Sequence, residues 1–187
     1  MSRYAPVELL RPDHDTSTFD CGSAPQTVWL RDYGLVAQQS GTARVFVARR
    51  SADGRVAGYY ALAAGAVRRE GAPDRLAAGT GRHPIPVVLL TRLGVDVAEQ
   101  GRGLGAALVR DALLRAATAA DLIGVRAVLI HAESPAAAVF YHRLDTRFEP
   151  SPVEPLHLVL LMKDIRAAIA QAATAATASG NPAVSDG

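Results

Sequence analysis

Lysine is almost missing from this chain of 187 residues: of its 20 basic residues only Lys163 is a lysine, and the others are arginines. Cys21 is the single cysteine, which excludes an intramolecular disulfide. No His/Cys/Asp grouping has the spacing of metal ligands, so no metal is expected. No run of about 18 uncharged apolar residues occurs, which excludes a membrane-spanning helix. Met1-Ser2-Arg3-Tyr4 lacks the apolar core of a secretion signal. Together these absences place the expected location in the cytoplasm.

What is present suffices for a core, since apolar residues make up 49% of the chain. The length fits one domain, expected over 1–165, followed by an Ala/Thr-rich tail over 166–187 that forms a weak helix or is disordered. The net charge is only +2. A GC-rich genome explains the arginine bias. So does bidentate contact with phosphate, for which arginine is the better residue. Arg49, Arg50, Arg68, Arg69, Arg75, Arg82 and Arg92 all fall in the first half of the chain, a density suited to an anionic partner such as RNA.

Val7 to Leu10 reads as a short strand, and 11–23 as a polar loop. Ser23 then caps a helix with Pro25 in its first turn. In that helix Val28, Trp29, Leu30, Tyr33, Leu35 and Val36 lie near helical spacing, with Trp29 as a core anchor. Residues 44–49 alternate as a strand, Asp53-Gly54 is a hairpin turn, and 56–64 is the return strand. The Gly/Pro/Arg-rich stretch 70–83 reads as a flexible loop. Pro84 and Pro86 forbid helix at the entry to an apolar strand over 87–95. Gly94 inside that strand signals a bulge or a close backbone approach. A helix over 106–120, a strand over 126–132, a helix capped by Ser134 and running to about Arg143, and a strand over 157–162 complete a mixed α/β domain.

Between the strand at 87–95 and the following helix stands Gln100-Gly101-Arg102-Gly103-Leu104-Gly105. A glycine-rich turn opening a helix presents unpaired N–H groups and a positive dipole end, and so suits a phosphate or pyrophosphate. It is not a Walker loop, since no Gly-Lys-Ser/Thr follows, and it fits a dinucleotide fingerprint poorly.

The turn, Gln100-x-x-Gly103-x-Gly105, together with Phe140-Tyr141 on the later helix, resembles the acetyl-coenzyme A motif of the GNAT N-acetyltransferases. Further segments narrow the resemblance: Phe19-Asp20-Cys21-Gly22, Trp29-Leu30, Val56 to Leu62, His83 to Val87, and Pro150-Ser151-Pro152. Over roughly 5–165 they are similar, in order, to the GNAT toxins of bacterial type II toxin–antitoxin modules. One departure stands out. The family usually carries Phe-Tyr-x-x-x-Gly-Phe, whereas this chain reads Phe140-Tyr141-His142-Arg143-Leu144-Asp145-Thr146-Arg147-Phe148. The glycine is missing and the second Phe is late, so the turn after the helix differs.

The resemblance implies a mainly antiparallel mixed sheet, splayed at a bulge, with helices on both faces. It implies acetyl-CoA as co-substrate, aminoacyl-tRNA as acceptor through its α-amine, blocked translation, a ribbon-helix-helix antitoxin and a homodimer. On it, Tyr141 is the general acid toward the leaving thiolate. Leu93, Val95, Gln100, Gly101, Arg102, Gly103, Leu104, Gly105 and Ser134 hold the cofactor; the arginine density, rather than the resemblance, offers Arg49, Arg50, Arg82 and Arg92 for contact with tRNA. No strong base stands out: Glu133 and His131 read as structural, Asp96 and Glu99 as solvated loop, and Cys21 as a small packed residue. An α-amine with a pKa of about 7.7–8.0 needs little deprotonation, whereas a lysine at about 10.4 would need a base. A GNAT acting on a small-molecule or protein amine, and a catalytically weakened binding module, are the alternatives.

Overall fold

Ser23 caps its helix as the sequence predicts, its side chain accepting from the Gln26 amide (3.5 Å), with Pro25 in the first turn. In the computed structural model, which describes residues 2–145 and 147–179 (the last four by backbone only), this helical stretch has three parts. They are α1 (Ala24–Val28), a π-helical segment (Trp29–Gly34) and α2 (Leu35–Ser40). Gly41, at φ 74, closes it in the left-handed conformation that favours glycine.

The strands are β1 (Glu8–Leu9), β2 (Arg44–Arg49), β3 (Val56–Val67), β4 (Ile85–Val95), β5 (Ala127–His131), β6 (Glu149–Pro150) and β7 (His157–Leu161). They form one sheet of seven strands in the order β1-β2-β3-β4-β5-β7-β6. Every pairing is antiparallel except β4 with β5, which is parallel. A parallel pair needs a crossover, supplied by α4 (Leu104–Ala120).

Helix α4 buries Leu104, Leu108, Ala112 and Ala116, one stripe at a spacing of four. The stripe packs on Tyr60, Val88, Leu90, Val128 and Ile130 from one face of the sheet. Gly58 lets the helix approach, because a Cβ there would lie 2.9 Å from Leu108 Cδ1. Helix α5 (Pro135–Leu144) and helix α6 (Met162–Ser179) contribute Tyr141, Ile165 and Ile169 on the same side. On the other face, Leu30 and Trp29 cover Val45, Val47, Tyr59 and Ala61.

Two features depart from expectation. The stretch 70–83 is not simply a loop: it holds a 3₁₀ turn ending at Gly71 and α3 (Asp74–Ala77), whose fully buried Leu76 packs on Ile85, Val87 and Leu129. A four-residue helix carries too few turns to show periodicity in sequence. β6 was not foreseen, because a two-residue strand has no alternation to detect. The expected tail is helical to Ser179, and residues 180–187 lie outside the described residues.

Candidate active site

The parallel pairing of β4 with β5 stops at Leu90 and Ile130. Beyond it β4 continues to Val95 beside β3 alone, while β5 stays with β7. The strands fork there and enclose a cleft of about 820 Å³. The irregularity that accompanies the fork lies at Thr91: Ala61 faces Arg92 and Leu62 faces Leu90, so β4 carries one extra residue. This corrects the expected bulge at Gly94. Gly94 is instead the close approach, since a Cβ there would lie 2.7 Å from Tyr59 Cε1 and 3.3 Å from Cys21 Sγ.

The Asp96 amide donates to the Ala57 carbonyl on β3 (2.9 Å). Strand alternation then directs the backbone groups of Leu93 and Val95 away from β3, into the cleft. The Val95 carbonyl accepts from Gln100 Nε2 (3.0 Å), and the Cys21 carbonyl accepts from the same nitrogen (3.0 Å). The Gln100 side chain therefore braces the turn.

Gly101 and Gly103 take φ values of 71 and 80, as the turn requires. Helix α4 starts at Leu104, two residues earlier than predicted. Its first backbone bond runs from the Ala107 amide to the Gly103 carbonyl (3.1 Å), so the amides ahead of it have no helical acceptor and open on the cleft. Gly105 packs against α5, where a Cβ would lie 3.4 Å from Phe140 Cζ. The donor set fits a pyrophosphate, with free amides and a helix dipole; Arg102, expected beside it, does not line the cleft, its Nε lying 3.7 Å from the Glu99 carboxylate and 3.4 Å from the Ala98 carbonyl.

Glu99 is not the solvated residue its loop position suggests. It is 2% exposed. Its carboxylate accepts from Arg3 Nε (2.8 Å) and Tyr4 Oη (2.8 Å), with Arg50 and Arg102 each at 3.7 Å. Those bonds hold its pKa down at about 2 against the cost of burial. A carboxylate held so firmly ionised is a poor base. Asp96 caps the turn over Val97–Glu99 by accepting from the Ala98 amide (3.0 Å). The partners from the chain start lie more than 90 residues away in sequence, so no local pattern could have found them.

Tyr141 lines the same cleft from α5, 5% exposed. It packs edge-on to Phe140 (5.1 Å between centroids) and tilted on Phe148 (6.0 Å). Burial, helped by the negative charge of Glu133, pushes its hydroxyl far above the ordinary phenol range. Phe148 reaches the core despite the altered turn, in which Asp145 and Arg147 form an ion pair at 2.7 Å. Thr146 lies outside the described residues. Ser134 caps α5, accepting from the Ala137 amide (3.2 Å), while also lining the cleft. Glu133 accepts from Ser23 Oγ (2.5 Å). His131 stacks on His157 at 3.9 Å, and burial, His157 and Arg92 lower its pKa from 6.5, so it is neutral near pH 7.

The four arginines offered for tRNA contact stand at three places in the fold. Arg49 is paired with Glu8 (2.7 Å) and Arg50 with Asp53, both by the hairpin that meets the Val95 end of β4. Arg82 precedes the opposite end of β4. Arg92 lines the cleft.

The Acetyltransferase (GNAT) domain family matches residues 41–145. The chain is 47% identical over 169 residues to the tRNA-acetylating toxin of Mycobacterium tuberculosis (strain ATCC 25618 / H37Rv), covering 90% of this chain and 99% of that protein. Three solved structures share the fold along nearly their whole length. AtaTR bound with AcCoA is 27% identical, with a TM-score of 0.77 over 90% of this chain and 99% of that one. AtaT complexed with acetyl-methionyl-tRNAfMet is 26% identical, with a TM-score of 0.80 over 89% and 99%. A mutant AtaT toxin bound to the C-terminus of the antitoxin AtaR is 25% identical, with a TM-score of 0.76 over 88% and 97%.

Proposed function

This chain belongs to the GNAT acetyltransferase family, and on that premise we propose that it is a toxin that N-acetylates aminoacyl-tRNA from acetyl-CoA and so stops translation. The observation that carries the reading is the forked cleft, which a free-amide glycine turn and a buried tyrosine line together. The 47% identity to a tRNA-acetylating toxin along almost the whole chain supports the choice of acceptor.

The residues divide the chemistry among them. Amides ahead of Ala107 take the pyrophosphate. The cleft-facing backbone of Leu93 and Val95 extends the sheet toward the pantetheine, and the Val95 amide faces the carbonyl oxygen as negative charge develops. Acetyl-CoA supplies the activated thioester. The neutral α-amine attacks the acetyl carbonyl, the carbon–sulfur bond breaks, and Tyr141 gives its phenolic proton to the departing thiolate. The amine loses its own proton to solvent, and the Tyr141 phenolate regains one from solvent, which restores the enzyme. A lysine acceptor would need a base, yet Glu133 is bonded to Ser23 and Glu99 is locked among arginines.

The same reading brings a cognate antitoxin of ribbon-helix-helix type, a homodimer and a cytoplasmic site of action where charged tRNA is found. Among the described residues no helix is long and apolar enough to cross a membrane. The deciding assay incubates the purified protein with labelled acetyl-CoA and individual charged tRNAs. Acetyl-aminoacyl product from one or more of them is expected, and its absence at every time point overturns the proposal.

A further inference from the structure

The arginines around the glycine turn already have carboxylates. Arg3, Arg50 and Arg102 surround Glu99, and Arg50 also pairs with Asp53. Arg92 differs. It lines the cleft, and its Nε is buried with no hydrogen-bond partner among the described residues. Its one bond is a long one, from a terminal nitrogen to the carbonyl of Thr91 (3.4 Å). The buried Nε is closed to a ligand, so the guanidinium offers its terminal nitrogens; among the described residues no carboxylate pairs with it, and an uncompensated cation lining a cleft points to an anion brought by a ligand.

The bulge at Thr91 puts Arg92 where it is. Before the bulge, Val88 and Leu90 face α4. Uninterrupted alternation would send Arg92 the same way, into the apolar face beneath α4. The extra residue inverts the parity. Leu93 and Val95 now pack on the α4 side, and the Arg92 guanidinium turns to the opposite face, 5.5 Å from the centroid of Trp29. Trp29 begins the π-helical segment and stacks on Tyr59 (6.0 Å, 12° between planes). The Tyr59 hydroxyl is in turn tied to the Gln26 carbonyl (2.8 Å). The cation therefore has a rigid aromatic backing on the face away from the glycine turn's helix.

We infer that Arg92 is an anion subsite on the acceptor side of the cleft, where it takes the phosphodiester nearest the charged 3′ end of the acceptor RNA. This rests on the function proposed above. The chemistry selects the anion: an aminoacyl ester has no free carboxylate, so the negative charge closest to its amine is a backbone phosphate. The donor's pyrophosphate is held on the opposite face, at the start of α4. A planar guanidinium offers phosphate two parallel bonds, here from its two terminal nitrogens.

The test uses two competitors of aminoacyl-tRNA acetylation: a non-hydrolysable 3′-aminoacylamino-3′-deoxyadenosine with, and without, a 5′-phosphate. For the wild-type protein the phosphate should lower Ki by about tenfold, the order expected for one charge-assisted contact. In Arg92→Gln the gap should close to within about twofold. Arg92→Lys, which keeps charge but not the fork, should fall between. Direct titration of acetyl-CoA into each variant reports whether the cleft is folded, so a misfolded Arg92→Gln leaves the decision to Arg92→Lys. Equal Ki values in the wild type, a gap that survives in both variants, or no inhibition by the phosphorylated competitor up to millimolar concentration overturns the assignment. Wild-type protein that binds acetyl-CoA but acetylates no charged tRNA overturns the functional reading itself, and this outcome is seen before any competitor is added.

Discussion

In the proposed mechanism Tyr141 gives its proton to the leaving thiolate, and its burial decides how that proton behaves with pH. A hydroxyl whose pKa is raised far above 10 stays protonated throughout the working range. The acid limb of kcat/KM should therefore follow the acceptor amine, rising to a plateau once pH exceeds about 8, with no fall from tyrosine ionisation up to about pH 10. An alkaline fall beginning near pH 8 would remove Tyr141 as the donor. Tyr141→Phe should lower kcat by about 10²-fold or more, while acetyl-CoA affinity measured by calorimetry stays within about twofold. Full activity in that variant would refute the assignment. Cys21 lies beside Gly94 in the same cleft, its Sγ 3.4 Å from Thr27 Oγ1. Its thiol has packing and hydrogen-bond partners but no base beside it, in keeping with the structural role that its position suggests.

At the scale of the element, the glycine turn was legible because it depends on local chemistry. Left-handed backbone at Gly101 and Gly103 and the helix start at Leu104 are all properties of six adjacent residues. Gly103→Ala meets no atom within 4 Å, so its cost is backbone strain of about 1 kcal/mol. Urea unfolding should show that loss, and acetyl-CoA should bind several-fold more weakly. The clamp on this turn was not legible, since Arg3 and Tyr4 reach Glu99 from the far end of the chain. Because the folded pKa of Glu99, about 2, lies below its ordinary value of 4.5, its contribution is present above that ordinary value and is lost as pH falls toward 2. Glu99→Gln should thus be less stable than the wild type at pH 7 by about 1–3 kcal/mol, with the difference shrinking in unfolding curves taken below pH 4. A constant difference from pH 7 to pH 2 would show that the carboxylate is not ionised in the fold.

For the whole molecule, the proposed function has the fork and the bulge divide donor from acceptor. Helices α4 and α5 bring the glycine turn and Tyr141 to one face, while Trp29 and Arg92 meet on the other. Two substrates entering a common cleft from two sides predict a ternary complex and direct transfer. Initial-velocity plots against acetyl-CoA at fixed aminoacyl-tRNA should intersect, and Cys21→Ser should keep transfer activity. Parallel lines would mean an acyl-enzyme and defeat direct transfer.

The order of the longer strands and helices, the hairpin at Asp53-Gly54, both serine caps and the glycine turn were determined by the sequence alone, because capping, turn chemistry and side-chain periodicity act over a few residues. Tertiary structure decided the rest. It set the bulge at Thr91, buried Glu99 among distant arginines, put Arg49 and Arg50 at the other end of β4 from Arg82, and left Arg92 lining the cleft with no carboxylate paired to it among the described residues. Each depends on strand register or on contacts between segments far apart in the chain, and a one-residue change of register reverses the face that a side chain occupies.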